Sequence, residues 1–391
     1  MISALKVAKR HYRPTLLSAT IWTEDFLLSH ATAAVTTAFI QHAVLPHYVT
    51  EEQQCQTQIQ PLGNGHINGT WRVITPQITF VLQRINTTVF PQPWALINNA
   101  VVIAKHLSMA KTAYPLAVTQ PLATLSGDFA IDLGVQGFWR AMSYIANSCS
   151  VEQLSSVQQA TQLAQAFGQF VAALADLNPD SLQEVIPAFR SLPARLHTLQ
   201  QVADTDRLQR FDGCRQWYDF AFSQQALLTE LAEIEPLLPR RICHNDTKIN
   251  NLLFALTQPC PIAVVDLDTC MPGPLMYDFG DMVRSCCAAV AEDATELQRV
   301  RMMPDYFAAL VAGWQQALGT TMTSLERQSL WLGTRVVTLM LAVRFLTDYL
   351  DGDRYFRITH PQQNLERAAN QFTLYQQLLA QQSVLKAVLD K

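Results

Sequence analysis

Charge is scarce in this 391-residue chain: Asp, Glu, Lys and Arg together make up 15% of it, and the formal net charge is -4. Nothing in that balance supplies the basic field needed to hold a phosphate backbone, so a nucleic-acid partner is not expected. The eight cysteines, Cys55, Cys149, Cys214, Cys243, Cys260, Cys270, Cys286 and Cys287, form no CxxC pair and no His-rich metal spacing. Free thiols in a reducing cytoplasm are the expectation. Long apolar runs are missing too. Val336 to Val343, bounded by Arg335 and Arg344, is far too short to span a bilayer and reads as a buried helical segment, so no membrane partner is expected. The opening MISALKVAKRHYRPTLLSATIW has early basic residues but no sustained apolar stretch with a small-residue cleavage site, which argues against a secretory signal. Internal repeats are absent, and glutamine richness is the only compositional bias.

Hydrophobic residues make up 49% of the chain, and its length exceeds one average domain, so two lobes with separate cores are expected. Residues 31–44 suggest a helix within an amino-terminal extension, 1–45. From 56 to 92 the pattern is strand, glycine turn, strand, turn, strand: TQIQPL, GNGHING, TWRVIT, ITFVLQRI. After Pro93, Leu96, Ala100, Ile103 and Leu107 recur at helical spacing. PLAVTQPLATL and GFWRAMSYIA read as further strands. The strand signal fades into a polar connector at Ser143 to Ser150, and Leu163, Phe167, Phe170, Val171 and Leu174 mark the next helix. The division is therefore 1–45 extension, 46–147 amino-terminal lobe and 148–391 carboxy-terminal lobe. The fold class is α+β: an antiparallel sheet with one main helix, followed by a mostly helical lobe.

The chemistry is concentrated in RRICHNDTKINNLLF and PIAVVDLDTCMPGPLMYDFGD. His244, Asp246 and Asn251 make HxDxxxxN, and Asp266 comes twenty residues after Asp246 at the end of a β-like run. Phosphoryl transfer requires one carboxylate to orient an attacking hydroxyl and take its proton, with an amide oxygen and a second carboxylate holding Mg²⁺ against the phosphates. Asp246 as base, with Asn251 and Asp266 as metal ligands, supplies that set in chain order. Lys248 is placed to neutralise charge on the phosphoryl group in flight. Gly63, Asn64, Gly65 and His66, in LGNGHINGTW, form a GxG turn that either cradles phosphates or simply closes a hairpin. Arg84 ends FVLQR as a cation on the third strand, or as a solvated edge arginine. Asp278-Phe279-Gly280 spells DFG but comes after no hydrophobic strand, so Asp278 is expected to fix the catalytic loop by accepting backbone N–H bonds.

HNDTKINNLLF, VVDLDTCMPGPLMYDFGD, PLGNGHINGTW and FVLQRINTTVF together resemble the aminoglycoside phosphotransferase and choline kinase superfamily, with the N-acetylhexosamine 1-kinases as the nearest group. The resemblance extends over about 58 to 375. It implies the bilobal protein-kinase-like fold and ATP- and Mg²⁺-dependent phosphorylation of the anomeric hydroxyl of an amino sugar. It also implies ATP in the cleft, its adenine edge near Tyr144 and Ala146 and its phosphates under the glycine turn, with His66, Arg344 and Tyr355 contacting sugar. Gly69 stands where that group would carry an aspartate, and Asn98 and Asn99 stand where a helix glutamate would pair with the strand cation. On residue chemistry alone, Arg344 must find acceptors in a ligand or in a buried ion pair, and Tyr355 is either a packed aromatic or a stacking platform. A kinase of another small alcohol (choline, homoserine or an aminoglycoside) and a nucleotide-binding regulator without turnover are the alternatives. The residues 344–357 alternate arginine with aspartate, which suits a neutral polyol better than a cation.

Overall fold

The computed structural model describes residues 35–63, 67–109 and 114–390. It divides into a short amino-terminal unit ending at Leu45 and a large unit from Pro46 onward. In the first, Thr36 caps the turn Thr37–Phe39, which runs on as the π-helical turn Ile40–Val44. The expected helix over 31–44 is thus seen in its second half, and 31–34 lie outside the described residues.

The large unit opens with the short helix Glu51–Gln54, which an antiparallel sheet follows. Strands β1 (Gln58–Pro61), β2 (Gly69–Ile74) and β3 (Thr79–Ile85) lie side by side, and β7 (Phe138–Ser143) pairs with β3. The order is β1-β2-β3-β7-β5, with β6 (Ala130–Asp132) also on β7 and β5 being Pro121–Leu122. Helix α1 (Pro93–Met109) packs its apolar stripe against this sheet through Ile85, Leu96, Ile97 and Phe138.

PLAVTQPLATL does not form one strand. Its first half is β4 (Ala117–Val118), in a second sheet ordered β4-β11-β10-β8, while its second half is β5 in the first sheet. Gln120 sits between the halves and exchanges bonds with Ser143: its N–H donates to Ser143 Oγ and its carbonyl accepts from Ser143 N–H, both at 2.8 Å. The connector behaves alike. GFWRAMSYIA stops being strand at Ser143, Asn147 turns in the left-handed region at φ 55°, and β8 (Ser148–Ser150) joins the second sheet with β10 (Leu252–Ala255) and β11 (Pro261–Val264). Residues 144–147 therefore carry the chain from the first sheet to the second.

The rest of the chain is mostly helical: α2 (Val157–Ala173), α3 (Leu192–Thr205), α4 (Arg215–Phe222), α5 (Gln225–Ile234), α6 (Met276–Cys286), α7 (Pro304–Leu318), α8 (Ser324–Asp351), α9 (Gln363–Ala380) and α10 (Gln382–Leu389). A two-stranded ribbon, β9 (Arg241–Cys243) with β12 (Met271–Gly273), frames the chemical segment. The apolar run Val336 to Val343 lies inside α8, which starts at a capping box between Thr323 and Glu326 and stops at Gly352 in the left-handed region. Helix α8 is long and apolar enough to cross a membrane, yet 78% of its most apolar window is buried within the protein. It is a core helix. It crosses α6 at two glycines, where a Cβ on Gly333 would stand 2.1 Å from the Met276 carbonyl and one on Gly280 2.4 Å from that of Gly333. Only glycine allows that approach.

Candidate active site

The loop after β9 is fixed from beneath by the first turn of α6. Asp278, fully buried, accepts from the backbone N–H of His244 at 2.8 Å and of Asn245 at 2.7 Å. Thr247 donates its N–H to Asp281 at 2.9 Å and its hydroxyl to the Asp278 carbonyl at 2.6 Å. The expected role of Asp278 as anchor is what the bonding provides. Burial drives its carboxyl up to about 6, the two N–H donors opposing. His244 is buried against the edges of Phe167 and Phe170. Its Nδ1 accepts from Asp246 N–H, so Nε2 carries the proton donated to the Val265 carbonyl at 3.0 Å. Burial lowers its pKa and keeps it neutral.

On that platform Asp246 projects upward, about three-quarters covered. Lys248 Nζ and Asn251 Nδ2 both meet its Oδ2, at 2.9 and 2.8 Å, and Asn251 Nδ2 also reaches its carbonyl at 2.7 Å. Burial by itself would raise the carboxyl. The charge and hydrogen bond of Lys248, with help from His244 and Asn251, instead hold it well below the usual carboxylate range. Lys248 is raised in return, chiefly by Asp246.

Asp266 comes after β11 with its backbone in the left-handed region at φ 63°, an unfavourable setting for a residue with a Cβ that costs of order 1–3 kcal/mol. Its carboxylate is open to water in the cleft yet flanked at longer range by protein on both sides. Desolvation there, with the charges of Asp268 and Asp246, pushes it up to about 7. Negative charge thus accumulates where Lys248 and Arg140 oppose it. Asn251, having committed its Nδ2 to Asp246, leaves Oδ1 without a partner among the described residues. One amide oxygen and one crowded carboxylate fit Mg²⁺, which takes one or two protein oxygens and completes its shell with water and phosphate. Among the described residues there is no cluster of three His, Cys, Asp or Glu side chains to hold a metal by themselves.

Two further residues couple this site to the first sheet. Asp268 is buried; its Oδ1 pairs with Arg140 of β7 at 2.5 Å and its Oδ2 accepts from Asn68 Nδ2 at 2.8 Å. Asn68 Oδ1 in turn accepts from Asn86 N–H at 2.9 Å. The end of the glycine turn is therefore strapped to the metal-side loop. Arg140 also donates to Gln83 Oε1 from Nε and from a terminal nitrogen, at 2.9 and 2.6 Å.

These contacts correct the expectation for Arg84. In the ladder Gln83 stands opposite Arg140, and Arg84 opposite Gly69 and Trp139. Successive strand residues face opposite sides. Arg84 lies on the face of Leu82 and Trp139, with its Nε against Gly137, and the cation that reaches the carboxylates is Arg140, one strand over. The missing helix glutamate has its counterpart in buried Asn99, which links α1 to the lower lobe by bonds to the Gln183 and Cys270 carbonyls and from Gln183 N–H.

The other expected residues take varied places. Gly63 is in the left-handed region at φ 70° just past β1; Asn64, Gly65 and His66 lie outside the described residues. Tyr144 and Ala146 are on the connector between the sheets, Tyr144 half-buried beneath the Arg72 guanidinium at 4.5 Å and Ala146 exposed. Arg344, on α8, and Tyr355, just beyond it, are brought together at 5.2 Å between guanidinium and ring centre. The residues missed are Asn68, Arg140, Asp268 and the segment Phe189-Arg190 with Arg195. Asp268 was legible as the second carboxylate of DLD; which of Gln83 and Arg84 faces the carboxylates was not, because buried residues of β3 lie on both of its faces, Leu82 on one and Ile85 on the other. Nothing local marked Phe189, Arg190 or Arg195.

Residues 58–320 match the model of the phosphotransferase enzyme family. Among solved structures the fold is similar to that of a microcompartment-associated aminopropanol kinase, at 15% identity over 89% of this chain and 99% of that one, with a TM-score of 0.59. It is similar also to choline kinase from Cryptosporidium parvum (12%, 91% and 100%, 0.57) and to the ethanolamine kinase of Plasmodium vivax (11%, 91% and 94%, 0.54). At such identities the likeness is one of fold.

Proposed function

The chain belongs to the phosphotransferase enzyme family, and from that premise we propose that it moves the γ-phosphoryl group of ATP, with Mg²⁺, to the anomeric hydroxyl of an N-acetylhexosamine. The observation that carries the phosphoryl-transfer part is the arrangement of Asp246, Lys248 and Asn251 around one carboxylate oxygen, opposite Asp266.

Asp246 Oδ2 is occupied by Lys248 and Asn251, which leaves Oδ1 for the acceptor hydroxyl. As the new O–P bond forms and the bond to the bridging oxygen of ADP breaks, the hydroxyl proton passes to Oδ1. A carboxylate held so acidic is a weak base, which suits a loose transition state in which the hydroxyl becomes acidic late. Its larger task is orientation. Lys248 keeps Asp246 ionised and directs its remaining N–H groups at the equatorial phosphoryl oxygens. Asn251 Oδ1 and Asp266 would hold Mg²⁺, which neutralises phosphate charge. The strap from Asp268 to Arg140 and Asn68 holds the end of the glycine turn, at Asn68, on the metal side, and the connector at Tyr144 to Asn147 offers the adenine its edge.

The sugar assignment rests on the motif resemblance and on Arg344 and Tyr355 standing together. All eight cysteines are free thiols, in keeping with a cytoplasmic location. The test is a panel of N-acetylglucosamine, N-acetylgalactosamine, choline, ethanolamine and homoserine with ATP and Mg²⁺, monitored by ADP release and phosphorus NMR. Phosphorylation at C1 of the sugars is expected; turnover of choline or ethanolamine with the sugars ignored would remove the sugar reading.

A further inference from the structure

Three arginines gather beside the catalytic loop with too few acceptors. Arg190 donates to the carbonyl of Asn245, the residue before the proposed base, and lies 3.5 Å from Asp281. Asp281 is already shared: Arg284 approaches it at 3.1 Å and Thr247 donates its N–H to it. Arg195, in the first turn of α3, has one acceptor among the described residues, the Phe189 carbonyl at 3.3 Å. The Nε atoms of Arg190 and Arg195 are buried and find no partner among those residues. Arg344 enters from α8 and makes no hydrogen bond or ion pair among them. Its guanidinium lies over the rings of Phe189, Tyr355 and Phe356, at 5.4, 5.2 and 5.3 Å.

A guanidinium has five donors and cannot shed its charge at physiological pH, so leaving two of them without a carboxylate is costly. Burial and mutual repulsion register it: Arg195 is pushed down to about 10 by desolvation and then by Arg344 and Arg190, and Arg344 is lowered chiefly by desolvation. The nearest carboxylates do not relieve them. Asp246 is held by Lys248, and Asp348 spends its oxygens on the N–H groups of Arg354, Tyr355 and Phe356 and on Asn364, which fixes the turn carrying Tyr355. Both guanidiniums converge on Phe189, Arg195 at its carbonyl and Arg344 over its ring.

We propose that Arg195 and Arg344, walled by Phe189 and Tyr355, form a subsite for a carboxylate carried by the acceptor, so that the substrate is a polyol bearing an acid group. This rests on the small-alcohol kinase reading and narrows it. An arginine fork matches a carboxylate in two parallel bonds, and a carboxylate here would satisfy donors that a neutral hydroxyl leaves charged. Cationic alcohols are excluded on the same geometry. An aromatic cage for an ammonium group requires open ring faces, and here the three rings already lie under the protein's own Arg344.

The test compares matched pairs: N-acetylglucosaminuronic acid and 3-O-carboxymethyl-N-acetylglucosamine, each against its methyl ester, with N-acetylglucosamine, choline and ethanolamine alongside. At least one acid is expected to exceed its ester by about 10- to 100-fold in kcat/KM, the span of a charge-assisted bond. In Arg344→Met and Arg195→Met that ratio is expected to fall toward one. Thermal stability of both variants should hold or rise, because an uncompensated charge is removed; a marked fall would assign these arginines a structural role and overturn the subsite. Calorimetric titration of each acid into nucleotide-free protein gives a readout independent of turnover, expected to weaken with salt and to vanish in the variants. Equal kcat/KM for every acid and ester, preference for choline, or no acid binding each overturns the subsite while ADP release from any alcohol upholds the kinase. Acid binding with no ADP release from any alcohol would uphold the subsite and sink the kinase reading instead.

Discussion

Replacing Asp246 with asparagine keeps the shape of the side chain and one acceptor oxygen for Lys248 and Asn251, but puts an amide where the substrate hydroxyl must deliver its proton. The structural cost is small. The Asp246 and Lys248 side chains are 25% and 36% exposed, so water screens part of the lost ion pair, and the charge of Asp266 remains to offset that of Lys248. His244 and Asn245 remain pinned by Asp278, which the substitution does not touch. The catalytic cost is large: loss of a general base typically lowers kcat by about 10²–10⁴-fold. Apparent affinity for ATP should move only a few-fold, since Asn251 and Asp266 keep their oxygens. The assay is steady-state ADP release with ATP, Mg²⁺ and acceptor varied in turn. Asp266→Asn serves as the contrast: there the Mg²⁺ requirement should rise, and added Mg²⁺ should restore part of the rate, whereas no Mg²⁺ concentration should restore Asp246→Asn. A kcat for Asp246→Asn within about tenfold of the parent would refute the assignment of the base.

Arg140→Met leaves buried Asp268 with Asn68 alone, and stripping one partner from a buried pair costs about 3–5 kcal/mol, to be read from the urea midpoint. Adding Asp268→Leu should recover most of that stability but not ATP affinity, because Asn68 has lost its hold on the metal-side loop; full recovery of both would show that the strap does not position the nucleotide. For pH, His244 is the group to watch. Its folded pKa is lowered by burial, so below about 6.5 the unfolded chain binds a proton that the folded chain refuses, and stability falls as pH drops, by at most about 1.4 kcal/mol per pH unit for one proton. Between pH 6.5 and 5.5 the raised carboxyls of Asp278 and Asp266 act in the opposite direction in both proteins, so the denaturation midpoint of the parent should shift downward relative to that of His244→Gln; equal slopes would mean that His244 titrates alike in both states.

Much of this molecule can be read from its order of residues alone. The strands at 58–85, the helix after Pro93, the change to a helical lower lobe and the set Asp246, Lys248, Asn251 and Asp266 come from local periodicity and from one compact motif, because each depends on residues within a few turns of one another. The anchoring role of Asp278 was legible for the same reason, as a DFG triplet without a preceding strand. PLAVTQPLATL could be recognised as extended, but not as two pieces of two sheets, since pairing partners are chosen by the whole fold.

Tertiary structure alone decided which cation meets the metal-side loop. Arg84 and Gln83 are neighbours in sequence and differ only in the face of the sheet they occupy, and the register with β7 gave the inward position to Gln83 and its contact Arg140, 128 residues from Asp268. It alone brought Phe189 and Arg195 to Arg344 from two segments far apart in the chain. Charge that is unbalanced in space carries no mark in sequence, where Asp348, Asp351 and Asp353 stand close to Arg344; in the folded chain the oxygens of Asp348 face backbone N–H groups, and Arg344 lies over the rings of Phe189, Tyr355 and Phe356. Contacts of this kind depend on side-chain direction and distance, which strand parity and helix crossing set only after the chain has packed.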